Sequence, residues 1–436
     1  MIVVVQGLWH LGSVTAACLA RAGHHVIGLD HDADTVASLA RGVPPVAEPG
    51  LADLLRDHAA RLEFTTDPAA AARADVAWVA YDTPVDADDR ADVEFVIGQA
   101  GRMLPHLRDG AVAIVSSQLP VGSAARLAAM RPGVHVACSP ENLRLGKAIQ
   151  VFSDPDRVVV GVASDAARAV IAELLAPITA RIEWMSVESA EMTKHAINAF
   201  LALSVTFANE LASVCERVGA DAKEVERGLK TESRIGPKAY LAPGGAFAGG
   251  TLARDVAFLT ALGAEHHLAL PLLGGVRPSN EAHKQWARRR LEDRLGGAAS
   301  LAGATIAVWG LTYKPGTDTL RRSAAVELCT SLAAAGARVV AWDPAVHALP
   351  AELASAIALA PGPLDALAGA SALVVATEWP ELIGAISGAA DPETAAAAAL
   401  RAMRRRLVLD ANRFLAKAFA GIADVEYYAV GVPAHG

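Results

Sequence analysis

The sequence predicts an α/β protein in which two doubly wound domains with parallel sheets are joined by a helical linker domain. Three observations predict this class. Short Val- and Ile-rich runs alternate with alanine-rich stretches at the start of the chain, such runs vanish between residues 186 and 292, and the alternation then restarts. We therefore place the domain boundaries at 1–185, 186–292 and 293–436.

The predicted strands define the two α/β halves. In the first half they are residues 1–6, 25–30, 75–80, 112–116, 134–138 and 157–161. In the second half they are residues 305–310, 339–343, 372–376 and 407–410. Between the halves, residues 186–218 have the apolar spacing of one long helix, and a cluster of glycines and prolines at 236–245 interrupts the helical pattern that follows.

Composition narrows the classes of function. The chain has 436 residues, is 53% hydrophobic, and carries a net charge of −8 with no basic cluster, which argues against a nucleic-acid partner. We find no uninterrupted apolar run that would cross a bilayer and no basic leader, so we expect a cytoplasmic protein with no membrane contact. The four cysteines are far apart and lack C-x-x-C spacing, so we expect reduced core thiols and no metal site.

The first strand and the helix after it have the spacing of a Rossmann-like dinucleotide-binding unit. Gly7 ends the strand, a helix opens near Gly12, and Asp30 closes the second strand, where an acidic residue binds the adenosine ribose. An aspartate there favours NAD, because it would repel the 2′-phosphate of NADP. Trp9 stands where a second glycine normally lets the backbone approach the pyrophosphate, and we expect it to weaken or displace binding. The alternative is a structural α/β domain without a cofactor.

Two further stretches carry chemistry. Lys194 and Asn198 lie one turn apart on the predicted long helix, so they project an amine and a carboxamide from one face. A glycine turn then presents the hydroxyl of Thr251 and the carboxylate of Asp255. Taken alone, Lys194 could also be an exposed lysine that pairs with Glu191 at i,i+3, and the glycines could form a loop without a ligand.

Many ordered segments resemble one family along nearly the whole chain. They are residues 14–20, 45–51, 82–84, 139–144, 154–157, 194–198, 234–238, 314–318 and 377–379. The chain is similar to the UDP-glucose/GDP-mannose dehydrogenase family, whose members oxidise C6 of a nucleotide-bound hexose from alcohol to acid with two NAD. The resemblance implies an NAD domain, a helical dimerising linker and a sugar-nucleotide domain, and hence NAD as cofactor, a nucleotide-sugar substrate and a homodimer.

The resemblance also implies roles for individual residues. Lys194 and Asn198 would hold the C6 oxygen and stabilise the oxyanion that develops as hydride leaves, and Asp255 would relay a proton through water. The implied catalytic set is Lys194, Asn198, Asp255, Thr251 and Glu141. The implied cofactor-binding set is Gly7, Trp9, Leu11, Gly12, Asp30, Thr83 and Gln118. The implied substrate-binding set is Leu143, Arg144, Lys238, Tyr240, Phe247, Gly249, Lys314 and Arg321.

The chain departs from the family at its nucleophile. Family enzymes trap the aldehyde on a cysteine, and the aligned residue here is Thr251. A thiol with a pKa near about 8.5 supplies thiolate at neutral pH, whereas an aliphatic alcohol needs an adjacent base, and none is evident at this spacing. We therefore expect covalent capture to fail. Gln118, Leu145 and Val432 also replace a threonine, a carboxylate and an arginine of the family.

Three functions remain open from the sequence. The first is an NAD-dependent oxidoreductase that oxidises a nucleotide-sugar hydroxyl, at C6, without a thiohemiacetal, giving the aldehyde or, through its hydrate, the acid. The second is a redox-neutral enzyme, such as an epimerase, in which NAD takes a hydride and returns it. The third is a non-catalytic nucleotide-sugar-binding protein.

Overall fold

The computed structural model describes residues 1–86, 90–140, 143–248, 250–387, 389, 391 and 394–433. Within them the chain forms two compact units, Met1–Ile197 and Asn198–Gly436. The boundary between the units lies inside the long helix, which we assign as α8 (Val187–Val218). The bounds of the three predicted domains stay a prediction.

The first unit is one sheet with helices on both faces. Its strands are β1 (Ile2–Gln6), β2 (His25–Leu29), β3 (Leu62–Thr65), β4 (Val76–Val79), β5 (Val112–Val115), β6 (His135–Cys138), β7 (Val158–Gly161) and β8 (Ile182–Met185). Its helices before α8 are α1 (His10–Arg21), α2 (Ala33–Ala40), α3 (Leu51–Asp57), α4 (Val93–Met103), α5 (Ser123–Met130), α6 (Ala148–Ser153) and α7 (Asp165–Leu175).

The strand order of this sheet creates a cleft. In the described residues the order is β3-β2-β1-β4-β5-β6-β7-β8, so the chain leaves β1 in one direction and resumes at β4 in the other. Val3 pairs with Val26 of β2 on one side and with Val76 of β4 on the other. The turn after β1 therefore opens at the point where the strand order reverses, which is where open α/β sheets bind ligands.

The second unit begins with the rest of α8 and adds helices and a second sheet. Its helices are α9 (Ala222–Thr231), α10 (Thr251–Glu265), α11 (Pro271–Lys284), α12 (Trp286–Leu295), α13 (Ala324–Ala334), α14 (Ala351–Ala354), α15 (Glu381–Ile386), α16 (Ala395–Ala402) and α17 (Ala416–Phe419). Its strands are β9 (Thr305–Trp309), β10 (Arg338–Trp342), β11 (Ile357–Leu359), β12 (Ala372–Val375), β13 (Leu407–Asp410) and β14 (Glu426–Tyr428). Their order, β11-β10-β9-β12-β13-β14, repeats the reversal of the first sheet.

The predicted fold class is confirmed, with one correction. Every predicted strand is present, but the first sheet is not wholly parallel, because β7 meets β6 in the antiparallel sense at Gly161 and Cys138. The prediction also missed β3, β8, β11 and β14. These strands are short, lie at the sheet edges or next to them, and have few fully buried residues, so their apolar signal is weak.

Helix α8 is the longest apolar helix of the described residues. By length and composition alone it could cross a membrane, although core helices of other proteins meet the same criterion. The sequence prediction had found no apolar run of that length, and α8 meets the criterion because residues 195–209 contain no Asp, Glu, Lys or Arg.

Candidate active site

The turn between β1 and α1 requires two of its glycines. Gly7 has a φ of +90°, and a Cβ on it would lie 2.7 Å from the ring of Tyr81. A Cβ on Gly12 would lie 1.6 Å from the carbonyl oxygen of Gly7. The strand and helix approach so closely that only glycine fits, as a dinucleotide-binding turn requires.

Asp30 is held at the end of β2 beside this turn. The carboxylate is buried and accepts the Leu8 amide N–H at 2.6 Å and the Asp32 amide N–H at 3.0 Å. His31 contacts the same carboxylate from Nδ1 at 2.9 Å. An acidic group fixed at this position fits the ribose of NAD, so the turn and Asp30 together fit the cofactor.

The remaining predicted cofactor residues lie around the same edge of the sheet. Trp9 precedes the first residue of α1 and is 52% exposed, although it is a large apolar side chain, whereas Leu11 is buried. The hydroxyl of Thr83 donates to the carbonyl of Gln118 at 2.8 Å, which joins the loops after β4 and β5. The predicted cofactor residues of the first unit are thus brought to one edge.

Helix α8 is tied to the loop after β5 by Glu191 and by His195, a residue that the sequence did not single out. The buried carboxylate of Glu191 accepts the amide N–H groups of Gly122 at 2.7 Å and Ala124 at 2.9 Å, so it caps the start of α5. His195 contacts the carbonyl of Leu119 from Nε2 at 3.0 Å. Burial raises the pKa of Glu191, and the two amides oppose that rise. The Glu191 carboxylate therefore has structural partners of its own.

Lys194 lies one turn after Glu191 on the same helix. Its side chain is half-buried, between the buried residues Glu191 and His195. The two flanking contacts hold the backbone of α8 on either side of the lysine. The orientation of this part of the helix is therefore set by the loop after β5.

In the second unit, Asn198 and Asp255 form a buried pair. The Asn198 side-chain amide donates to a carboxylate oxygen of Asp255, which is fully buried, and Asn198 is only 6% exposed. The two residues are 57 positions apart in the sequence. The structure thus joins two of the predicted catalytic residues directly.

Thr251 is the first residue of α10 and lies one turn before Asp255 on the same helix. Its side chain is exposed, and no hydrogen bond of its hydroxyl is seen among the described residues. The preceding Gly250 has a φ of +101° and lets the chain turn into the helix. The partial positive charge at the helix start favours a negative group there.

None of the four cysteines, all of which lie in the described ranges, is placed to act as a nucleophile. All four are free and buried. Burial raises the pKa of Cys18 to about 11 and of Cys329 to about 12, and it raises the pKa of Cys138 further still. The expected reduced core thiols are confirmed, and no thiolate is available near neutral pH from these three side chains.

The glycine-rich loop before Thr251 is held by two asparagine side chains that the sequence analysis missed, the buried Asn209 and the exposed Asn412. Asn209 of α8 accepts the Gly244 amide N–H at 3.0 Å and donates to the Gly245 carbonyl at 3.3 Å. Asn412, after β13, accepts the Gly245 amide N–H at 2.7 Å. The loop is therefore held from two distant segments of the chain.

The same loop is also held by α11. Asn280 accepts the Phe247 amide N–H at 3.0 Å and donates to the Phe247 carbonyl at 2.8 Å. His283 contacts the Gly244 carbonyl from Nε2 at 2.8 Å. Burial lowers the pKa of His283, against the opposing effect of that carbonyl, so the ring is neutral near pH 7. The predicted substrate residue Phe247 thus belongs to a rigidly held loop.

The other predicted substrate residues are more dispersed. Leu143 and Arg144 belong to the first unit, where Glu48 holds their loop through the amides of Gly146 at 2.7 Å and Ala148 at 2.9 Å. Those of the second unit are the exposed Lys238, Tyr240 and Arg321 and the half-buried Lys314. Glu141 and Gly249 lie outside the described residues.

The turn after β9 in the second unit repeats the turn after β1. Gly310 has a φ of +89°, and a Cβ on it would lie 2.4 Å from Thr377. Asp343, at the end of β10, accepts the amides of Leu311 at 2.7 Å and Thr312 at 2.9 Å. Lys314 follows directly on this turn, so the predicted nucleotide contact lies at the second reversal of strand order.

Comparison with known proteins decides the family. The chain matches the NAD binding domain of the UDP-glucose/GDP-mannose dehydrogenase family over residues 1–179, its central domain over 188–282 and its UDP binding domain over 307–417. The chain belongs to this family. It is accordingly an NAD-dependent dehydrogenase with NAD as its cofactor, and it carries the family's domain for a nucleotide-sugar substrate.

Named members of the family are similar along most of their length. The UDP-glucose 6-dehydrogenase of Pseudomonas aeruginosa is 36% identical over 397 residues, which cover 86% of this chain and 87% of that protein. The UDP-glucose 6-dehydrogenase YwqF of Bacillus subtilis is 32% identical over 446 residues, which cover 99% and 98%.

A solved structure extends the comparison to the fold. The structure of a UDP-glucose dehydrogenase from Pyrobaculum islandicum superposes with a TM-score of 0.85 at 30% identity and covers 99% of this chain and 98% of that one. The resemblance, fold and cofactor predicted from the sequence are therefore confirmed. The roles of the individual site residues stay predictions.

Proposed function

We propose that this dehydrogenase oxidises a hydroxyl, at C6, of a UDP-hexose-like nucleotide sugar, and that it does so without a covalent sugar–enzyme intermediate. The observation that carries the proposal is Thr251 at the first residue of α10, in the position where the resemblance implies a cysteine. Similarity to two UDP-glucose 6-dehydrogenases supports the substrate class.

The first oxidation needs a polar site for the alcohol oxygen. Asp255 is fully buried and holds the amide of Asn198, so the carboxamide has one orientation. Lys194 provides a cation from the same helix as Asn198, and such groups stabilise an oxygen that becomes negative as hydride leaves. NAD, when bound, accepts that hydride. The alcohol thus becomes an aldehyde, NAD becomes NADH, and the hydroxyl proton passes to solvent by way of Asp255 and water.

The second oxidation is where this chain differs from a cysteine enzyme. A threonine hydroxyl is almost wholly protonated at neutral pH, and no base contacts Thr251 among the described residues. Burial raises the pKa of Cys18, Cys138 and Cys329, so these three thiols offer no substitute thiolate near neutral pH. We therefore assign Thr251 as a polar contact for the aldehyde or its hydrate, and we expect the reaction to stop at the aldehyde.

The test is product analysis with a panel of UDP-, GDP- and CDP-sugars in the presence of NAD. We expect one NADH per sugar and a product that has lost two hydrogens. Two NADH per sugar with a trapped protein–sugar adduct would contradict the proposal. An isomer of unchanged mass without NADH would instead identify a redox-neutral enzyme.

A matched pair of variants isolates the missing sulfur. T251C restores the thiol at the start of α10, where the helix favours the thiolate, so we expect it to gain the second oxidation and a trappable adduct. T251S keeps a hydroxyl and should resemble the wild type. If T251C and T251S give the same single oxidation, sulfur is not the missing element.

We also infer a homodimer formed along α8. Phe200, Phe207, Val214 and Val218 are large, apolar and between 49% and 69% exposed. They recur at intervals of seven and four residues, so they form one stripe along the helix, the pattern by which paired helices pack. Sedimentation analysis should give a dimer, and the double variant F207E/V214E should give a monomer. An unchanged dimer would exclude this stripe as the interface.

The free, buried thiols are consistent with a reducing compartment. We accordingly infer a cytoplasmic location. Fractionation of cells that produce the tagged protein tests this inference.

A further inference from the structure

A carboxylate lies at the start of α1, at the amide where an anionic ligand would bind. Leu11 is the second residue of α1, so its amide N–H has no partner within the helix. That N–H donates to a carboxylate oxygen of Asp82 at 3.3 Å. The contact joins the positive end of a helix to a negative side chain and is therefore favourable in itself.

The same helix end is where a Rossmann-like domain takes the pyrophosphate of its dinucleotide. The glycines at 7 and 12 bring strand and helix together as that role requires. The pyrophosphate and Asp82 therefore both need the first amides of α1. Two anions cannot share one N–H donor, and they repel each other at close range.

Asp82 reaches this position because of the strand order. It follows β4, which pairs with β1, so the loop that carries it emerges beside the β1–α1 turn. Its side chain is exposed, whereas its neighbour Thr83 is buried and held by the Gln118 carbonyl. The carboxylate can therefore leave the helix while the backbone of the loop stays fixed by Thr83.

We propose that Asp82 sets the affinity for NAD by competing with the cofactor's pyrophosphate for the first amides of α1. Binding of the dinucleotide then requires the carboxylate to leave Leu11, and its charge continues to oppose the pyrophosphate nearby. The competition concerns ligands that contain a pyrophosphate, and it leaves a nucleoside such as adenosine unaffected.

The test is isothermal titration of the full-length protein with NAD, ADP-ribose and adenosine. D82A removes the competing group, and D82N removes its charge but keeps an acceptor for Leu11. The control D57N removes one exposed charge at the end of α3. We expect the Kd for NAD and for ADP-ribose to fall by at least about threefold in D82N and further in D82A, with no change in D57N.

Two further measurements separate competition from a general change in the loop. The Kd for adenosine should be the same in all four proteins. The ratio of the wild-type and D82N values for NAD should approach one as salt is raised, because the repulsion is screened. The proposal is overturned if wild type and D82A bind NAD equally well, or if neither of them binds NAD measurably. It is also overturned if D82A binds adenosine more tightly than wild type by the same factor as it binds NAD. Thermal melts check that each variant is folded.

Discussion

The contact between Gly244 and Asn412 makes a quantitative prediction about the glycine-rich loop. A Cβ added to Gly244 would lie 2.0 Å from Oδ1 of Asn412 and 3.1 Å from its Cγ. That oxygen accepts the amide N–H of Gly245 at 2.7 Å. An alanine at 244 must therefore push the amide away. Because Asn412 is exposed and its amide ends a flexible side chain, the main cost is the lost hydrogen bond.

The magnitudes follow from these distances. The exposed side chain of Asn412 can turn away at little steric cost, and loss of its hydrogen bond to Gly245 costs about 1 kcal/mol. N412A alone loses that hydrogen bond but removes the atoms that the new Cβ would strike. The nearest remaining atom of residue 412 is its Cα at 3.8 Å, an ordinary contact. G244A should thus cost about 1 kcal/mol in the wild type and little in the N412A background.

The assay is a double-mutant cycle on urea-induced unfolding followed by circular dichroism. We expect a coupling free energy of about 1 kcal/mol between G244A and N412A. The control is G245A, because a Cβ on Gly245 would lie 3.8 Å from the same oxygen. Its effect should add to that of N412A within about 0.5 kcal/mol. If G244A destabilises both backgrounds equally, the steric reasoning is refuted.

Three more predictions concern the cofactor, the chemistry and pH. W9G should lower the Kd for NAD about fivefold in calorimetric titration, because the backbone can then approach the pyrophosphate. A higher Kd for W9G than for the wild type would contradict this prediction. K194A should lower kcat/KM at least about 100-fold in steady-state NADH assays, and near-wild-type turnover would remove Lys194 from the mechanism. The pKa of His283 is lowered in the folded protein from its ordinary value of 6.5, so the unfolded chain binds the proton more readily than the folded chain does. The contribution of neutral His283 to the free energy of unfolding is therefore present above pH 6.5 and is lost as the pH falls below it. The difference in thermal midpoint between wild type and H283Q should therefore shrink from pH 7 to pH 5, and a constant difference would show that His283 does not titrate.

The sequence by itself determined the fold class and the family. Alternating apolar runs predicted each central strand because a strand that is buried on both faces must be apolar along its whole length. The glycines of the first turn and Asp30 were recognisable because their roles depend on local spacing. Lys194 and Asn198 were predicted to share a helix face for the same reason, since one turn of helix separates them.

The edge strands and the antiparallel step were not accessible in this way. Strands such as β3 and β14 pair on one side and are mostly half-exposed, so their composition resembles that of a loop. The direction of β7 depends on the path of the connecting chain, which leaves no periodic trace in the residues.

Only the tertiary structure decided which polar groups meet. Asn198 meets Asp255 over 57 residues, Asp82 meets Leu11 over 71, and Asn412 meets the glycine loop over 167. The periodicity of the sequence indicates on which face of its own helix or strand a residue lies. It does not indicate which residue of another helix, strand or loop that residue will contact. These contacts arise when the topology brings separate elements to the same place. For Asn198 and Asp255, which are buried, each polar group must in addition find a partner there.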